Sequence, residues 1–420
     1  MRQMKDSGIE WIGEIPEGWE VKRIKFLFSE RNERCDNNTN LPLLSVSEYY
    51  GVAQRKEKIK EEETLVRASS LDGYKICYQH DIVINIMLAW RSSLGESPVQ
   101  GIVSPSYCVY KPILSNIYSR YYHYLFRTDI YANVFKQYST GIIDSRLRLY
   151  SDKFFSLFVQ LPPLAEQQRI ADYLDAKCAH IDQCLELTRQ SMEKLRAYKL
   201  SCITEAVTKG LDPDVPLKDS GVPWIGQIPA GWTLSSVRWE FENLDGRRKP
   251  ISAENRTCSD AAYDYYGASG IIDKIDDFIF DETLILIGED GANLALRNLP
   301  LVYIAKGKYW VNNHAHILKP YNTNNLYYMA YQLECVDLTN YITGSTQPKL
   351  TQSNLSKIPV VCPPLPEQER IAAYLDKKCA RIDALLEEKQ ALLDKLAEYK
   401  KSLIFECVTG KREVPSCWNR

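Results

Sequence analysis

The sequence predicts an α+β chain built by tandem duplication, with two globular domains separated by two long antiparallel coiled-coil helices and related by a pseudo-two-fold. Three observations predict it. Two motifs recur in the same order, two uninterrupted helical stretches carry heptad spacing, and a short linker joins the first helix to the second globular stretch.

The repeats come first, because self-similarity at a fixed offset decides an architecture before any local propensity does. KDSGIEWIGEIPEGW (5–19) returns as KDSGVPWIGQIPAGW (218–232), an offset of 218 − 5 = 213. LPPLAEQQRIADYLDAKCAHID (161–182) returns as CPPLPEQERIAAYLDKKCARID (362–383), an offset of 362 − 161 = 201. The offsets differ by 213 − 201 = 12, so the intervening stretches 26–160 and 239–361 differ in length by that amount, and they share little sequence. A common frame therefore carries two unlike inserts.

Each long repeat opens on a proline pair, Pro162–Pro163 and Pro363–Pro364, suited to the approach and first turn of a helix. Glu166 and Glu367 follow where the helix dipole favours a carboxylate, and no proline or glycine intervenes again before Gly210 and Gly410. A helix from 166 to 207 is roughly 60 Å long at 1.5 Å per residue. Seam positions step by 3.5 along Ile181, Leu185, Thr188, Met192, Leu195, Tyr198 and Cys202, and along Ile382, Leu386, Lys389, Leu393, Leu396, Tyr399 and Leu403, with one polar residue at the same place in each, Thr188 and Lys389. That step predicts packing of helix on helix. Trp11, Trp19, Trp224 and Trp232 read as packing residues of the repeated frame.

Direction follows from reach. Between Val207 and Lys218 the chain holds Gly210, Pro213 and Pro216, an extended linker of at most roughly 35 Å. It cannot run back along a rod of that length, so the helices are expected antiparallel. The frame also reads cyclically, since ECVTGKREV after the second helix matches EAVTKGLDP after the first, which leads into KDSG. The C-terminal end is thus expected beside the N-terminal domain.

Within the inserts, DIVINIML (81–88), GIVSPSYCVY (101–110), ETLILIG (282–288) and YWVNNHAHIL (309–318) read as strands flanked by helical patterns such as NIYSRYYHYLFRT and NNLYYMAYQLECV. No catalytic signature appears. The five histidines form no HExxH pair, and there is no P-loop, GxGxxG or Asn-Pro-Pro-aromatic motif. Glu289 and Asp290 beside Gly291 read as a polar turn, and His314 and His316, two apart on a strand, as surface or packing residues.

At 420 residues, 45% hydrophobic and 25% charged, the composition is that of a multi-domain globular chain. No apolar run reaches membrane length, the N-terminus lacks a signal-peptide core, and a cytoplasmic location is expected. The twelve cysteines include no CxxC pair; in a reducing compartment they read as small hydrophobes, and no metal is expected. The net charge of −2 is unlike that of a lone basic nucleic-acid binder and suits positive charge confined to one face, or binding within a larger complex.

The doubled PPLxEQxxIxxYLDxKxxxID and KDSGxxWIGxIPxGW motifs resemble the specificity (S) subunit of type I restriction–modification systems over essentially the whole chain. DIVINIMLAWRSSLG with GIVSPSY, and LILIGEDGANL with WVNNHAHIL and TGSTQPKL, resemble two versions of that family's target-recognition domains; TGIIDSRLRL (140–149) departs from the usual polar form of the last loop. The resemblance implies a first target-recognition domain at 1–160, a central helical spacer at 161–210, a linker and second target-recognition domain at 211–361, and a C-terminal helical spacer at 362–420. It implies a non-catalytic DNA-binding subunit that recognises a bipartite gapped site, with the helices as ruler. Two modification (methyltransferase) subunits using S-adenosylmethionine and two restriction (motor-nuclease) subunits using ATP and Mg are the implied partners. No cofactor is expected on this chain itself. Arginine, asparagine, glutamine and serine in polar loops are the side chains that reach bases and phosphates. The expected DNA contacts are Trp90, Arg91, Ser93, Arg146 and Arg148 in the first domain, and Asn293, Asn312, Asn313, Ser345, Gln347 and Lys349 in the second. The expected spacer seam is Ile181, Leu185, Met192 and Leu195 with Ile382, Leu386, Leu393 and Leu396.

Overall fold

The computed structural model describes residues 2–36, 39–55, 71–256, 262–344 and 346–415. Two compact units emerge: Met1–Thr188 together with Ala391–Arg420, and Arg189–Gln390. Each unit thus takes part of both long helices, Leu164–Lys209 and Leu365–Val408. The boundary expected at 160/161 falls inside the strand Phe158–Leu161, and that at 361/362 inside the strand Pro359–Cys362.

The inserts that share little sequence share a sheet. In the first unit the antiparallel order is Phe28–Arg31, Tyr107–Pro112, Ile82–Asn85, Leu94–Glu96. In the second it is Phe241–Asn243, Ala315–Pro320, Leu284–Gly288, Val302–Ala305. A helix follows each sheet's second strand in space, Ser119–Phe126 and Leu326–Glu334. The central strands are apolar without alternation because both faces are covered. Ile82 and Ile84 enter the main core of the first unit while Val83 joins a smaller cluster on the opposite face. Ile285 and Ile287 do the same against Leu284 and Leu286 in the second.

What covers the far face differs. The first unit places the hairpin Leu44–Ser47/Gly51–Gln54 and the pair Lys75–Cys77/Gly101–Val103 there. The second adds a four-stranded sheet of Gly270–Ile275, Tyr263–Gly267, Lys308–Val311 and Phe280–Asp281. The first unit also carries the helix Asp129–Tyr138.

The repeated motifs meet each other in both units. Trp19 Nε1 donates to Glu166 Oε2 at 2.9 Å, and Trp232 Nε1 to Glu367 Oε2 at 3.0 Å. Gln167 accepts the Tyr118 N–H and donates to the Pro162 carbonyl; Gln368 accepts the Asn325 N–H and donates to the Pro363 carbonyl. The tryptophan and Glu-Gln positions are therefore one hydrogen-bonded joint, which explains why they repeat together.

Within each unit the start of one long helix lies antiparallel beside the end of the other. Asp182 meets Lys400 in the first, and Asp383 meets Lys199 in the second. The C-terminal end of the second helix is part of the first unit's core, through Leu403, Cys407 and Val408. Tyr121 Oη and Gln160 Nε2 both donate to the Val408 carbonyl, as Tyr328 Oη and Gln332 Nε2 do to that of Val207. Both helices end on a glycine in the left-handed region, Gly210 at φ 79° and Gly410 at φ 73°.

Of the seam residues, Ile181, Leu185, Met192 and Ile382 are buried and Leu195, Leu386, Leu393 and Leu396 half-buried. Leu393 and Leu396 pack on the core that holds Ile181 and Leu185. The heptad reading also placed Tyr198 and Tyr399 in the seam, and there the structure differs. Each is 49% exposed, and Lys199 and Lys400 turn toward the neighbouring helix instead. A straight helix of 3.6 residues per turn drifts off a 3.5-residue stripe, which rotates these positions outward. Thr188 returns its hydroxyl to the Cys184 carbonyl of its own helix.

The described cysteines are free thiols, and burial pushes Cys77 and Cys178 up to about 11 and Cys335 and Cys407 up to about 12. Among the described residues no helix is long and apolar enough to cross a membrane.

Candidate nucleic-acid interface

In the second unit three loops converge at one end of the four-stranded sheet, where Gly288 pairs with Ala315. They are the loop 289–296, the turn 312–314 and the loop 343–350. Backbone bonds close them on one another: Glu289 N–H to the His314 carbonyl (2.8 Å), Leu350 N–H to the Glu289 carbonyl (2.7 Å) and Gly291 N–H to the Pro348 carbonyl (3.0 Å).

Charges gather there. Arg248 Nη1 lies 2.5 Å from Glu289 Oε2, and Lys349 Nζ lies 3.1 Å from Glu289 Oε1. At the rim His314 Nδ1 sits 2.7 Å from Asp290 Oδ2. Burial works to raise the Glu289 carboxyl, but Arg248, His316 and Lys349 outweigh it and hold it below the usual carboxylate range. Arg248 and Lys349 are thus both pre-positioned by the Glu289 carboxylate, and Lys349 remains half exposed.

Of the residues expected to contact DNA here, Asn313, Gln347 and Lys349 are exposed on these loops. Asn293 is tied down, its amide donating to the Leu299 and Pro300 carbonyls and its oxygen accepting the Leu299 N–H. Asn312 is 6% exposed and its oxygen accepts the His314 N–H, which makes it a turn-former. Ser345 lies outside the described residues.

The first unit builds the same arrangement from other residues. The Leu149 N–H reaches the Ile86 carbonyl at 2.9 Å, as Leu350 reaches Glu289. Thr140 bridges Arg148 as Thr343 pairs with Lys349, so Arg148 and Lys349 occupy equivalent places. The loop between them is longer by two residues, since 148 − 140 is 8 and 349 − 343 is 6. Both loops turn on a glycine of positive φ. A Cβ on Gly141 would stand 2.6 Å from the Arg146 oxygen, and one on Gly344 2.6 Å from the Gln347 oxygen.

Trp90 stands in the short helix Ala89–Arg91 that follows the strand Ile82–Asn85, with Lys136 Nζ 4.9 Å from its ring. Lys136 in turn meets Asp144 of the glycine-led loop at 2.9 Å. Arg91 pairs with Glu48, Arg146 is exposed, and Arg148 donates to the Ser145 and Leu147 carbonyls. Ser93 is buried and its hydroxyl donates to the Val46 carbonyl, so it supports the fold at this edge.

The face also holds residues the sequence did not single out. Lys136 came into reach only through the packing of its helix. Arg248 belongs to the run Arg247-Arg248-Lys249, a triple cation that could have marked it. Among the described residues no cluster of metal-ligating side chains is present.

A family model described as the type I restriction modification DNA specificity domain matches residues 16–197 and 239–395, once on each copy of the frame. A protein of Haemophilus influenzae provisionally named the type I restriction enzyme specificity subunit S.HindORF215P is 31% identical over 147 residues, 34% of this chain and 37% of that protein's length. The provisionally named MjaX specificity subunit of Methanocaldococcus jannaschii is 24% identical over 397 residues, 87% of each chain. Among solved structures, a chain from a type I R-M system assembly matches with TM-score 0.70 at 15% identity, covering 95% of this chain and 99% of that one. The HsdS subunit from Thermoanaerobacter tengcongensis matches with TM-score 0.52 at 15% identity, covering 95% and 98%. At that identity these last two speak for the fold.

Proposed function

The chain belongs to the type I restriction–modification DNA specificity family and is a non-catalytic specificity subunit, and from that footing we propose that it reads a bipartite, gapped DNA site through two unlike faces. The observation that carries the proposal is that Arg148 and Lys349 occupy equivalent places on equivalent loops, each opposite a threonine of its own loop, amid otherwise different side chains. Equivalent geometry directs both faces at the same kind of ligand, and different side chains select different bases. In this reading phosphate contacts come from exposed cations such as Lys349, Lys249 and Arg146, base contacts from Asn313, Gln347 and Arg91, and the long helices set the gap.

Two modification subunits are the proposed immediate partners, because the frame offers the same surface twice. Tyr198 and Tyr399 are identical, exposed and 201 residues apart. Internal packing does not require an exposed tyrosine, whereas two copies of one partner require equal surfaces. S-adenosylmethionine, ATP and Mg then belong to the modification and restriction subunits, and the assembly acts on DNA in the cytoplasm.

The test is selection from a pool of random duplexes by the chain reconstituted with its methyltransferase subunits. Enrichment of two short motifs at fixed separation is expected. Enrichment of one continuous motif, or of none, sinks the proposal.

A further inference from the structure

The loops of the second reading face close on a side chain that lies beneath them. His316 is 1% exposed, with Nδ1 2.6 Å from Asp245 Oδ2 and Nε2 2.7 Å from the Leu350 carbonyl oxygen. A carbonyl oxygen can only accept, so Nε2 carries a proton. Asp245 is an acceptor as well. Burial works to raise its carboxyl, but His316, the Ile317 N–H at 2.8 Å and Arg248 hold it below the usual range. Both ring nitrogens therefore face an acceptor.

Charged groups face it from every loop of the site. Asp245 and Arg248 come from the segment after Phe241–Asn243, with Arg248 Nη2 3.6 Å from Asp245 Oδ2. Glu289 comes from the end of Leu284–Gly288, with Oε2 3.8 Å from His316 Nδ1. Lys349 reaches in through Glu289, while His314 and Asp290 pair with each other at the rim.

The position of Leu350 is the consequence. Its N–H is held by the Glu289 carbonyl and its carbonyl by His316, so the residue next to Lys349 is gripped from both sides. In the first unit the corresponding N–H bond is present, from Leu149 to Ile86. The strand register puts Cys108 at the place of His316, and its thiol lies 3.6 Å from Ser151 Oγ.

We propose that His316, held as a buried cation, is the positioning residue of the second reading face: it clamps the Leu350 carbonyl and so fixes where Lys349 and Gln347 are presented to DNA, while the first face works without such a clamp. This rests on the DNA-reading role proposed above.

The full chain, reconstituted with its methyltransferase subunits, is used to select from a pool of random duplexes. His316→Gln is expected to lose the base preference of one half of the enriched motif by at least about tenfold, with the other half unchanged. Asp245→Asn, which keeps the shape and removes the counter-charge, is expected to weaken the same half. Independently, histidine-selective 15N labelling at neutral pH is expected to show one of the five imidazoles with both nitrogens protonated, a signature absent from His316→Gln. Retention of both halves by the two variants overturns the proposal, and so does a spectrum with no doubly protonated buried ring. Failure of the parent chain to enrich any paired motif instead overturns the DNA reading, and the 15N spectrum still decides the state of His316.

Discussion

The ammonium of Lys400 sits between the two carboxylate oxygens of Asp182, at 2.6 and 2.7 Å. Its repeat-mate Lys199 grips Asp383 at 2.7 Å from both oxygens. Antiparallel helices place these residues opposite one another twice, once in each unit. The lysines are partly buried, but Asp182 is 55% and Asp383 47% exposed, so solvent screens both pairs. Lys400→Ala and Lys199→Ala are each expected to cost no more than about 1 kcal/mol in urea unfolding. Exchanging the partners, Lys400→Asp with Asp182→Lys, should recover most of the loss that either reversal causes alone.

The Trp19–Glu166 joint ties stability to pH. Burial opposes the charged form of Glu166, but Arg2 and the Trp19 indole outweigh it and lower its carboxyl below the ordinary glutamate value. A depressed acid contributes stability that is present above the unfolded-state value and is lost as pH falls through the folded one. The first unit should therefore lose stability in mild acid, and Glu166→Gln should flatten that part of the profile. At neutral pH the same variant should cost about 1–3 kcal/mol, the range for weakening a buried charge-assisted bond. Urea titrations at a series of pH values check both.

Arg148 and Lys349 are expected to act on separate halves of the DNA site. Lys349→Ala should weaken binding of the complex and reduce its salt slope by about 1, as loss of one phosphate contact does. Because Arg148 is turned onto the Ser145 and Leu147 carbonyls, Arg148→Ala should disturb the shape of its loop more than the salt slope. Binding isotherms at several salt concentrations separate the two.

Gly344 has φ +86° and stands against the Gln347 carbonyl. Gly344→Ala meets an unfavourable conformation and a backbone contact together, a strain of about 1–3 kcal/mol. Its expected effect is a lower melting temperature with loss of one half-site preference. An Ala at Gly18, where nothing lies within 4 Å and φ is not in the left-handed region, is the matched control.

Tyr198→Ala and Tyr399→Ala should lower melting of the isolated chain only slightly, since each ring is half exposed and keeps one surface partner, Lys378 over Tyr198 and Arg412 on Tyr399. Each should instead reduce capture of one methyltransferase copy by about tenfold, and the double variant should capture neither, a loss of about 1.4 kcal/mol per site. Sedimentation or native mass spectrometry of the reconstituted complex reads the stoichiometry directly.

Much of this was legible in the amino-acid order. Two offsets of repeated motifs, a proline-led start, a glycine stop and a short linker determine a duplicated, antiparallel helical frame, because helix signals and linker reach are local physics. The same order pointed to the segments 81–95, 101–107, 140–149, 284–294, 310–318 and 343–350. It could not say which side chains within them reach outward. Ser93, Asn293 and Asn312 have the chemistry of base readers, and in the fold each makes at least one hydrogen bond to the protein's own backbone. His316 read as a surface or packing residue, and only the fold brings Asp245, Glu289 and the Leu350 carbonyl around its buried ring.

The sequence by itself determined the duplication, the helix directions and the family, since each rests on periodicity or on residues near one another in the chain. The tertiary structure alone decided that the unlike inserts share one sheet order, because hydrogen-bonded strand pairing does not depend on side-chain identity. It also decided which members of each loop are exposed and which are bound, because that depends on partners tens of residues away.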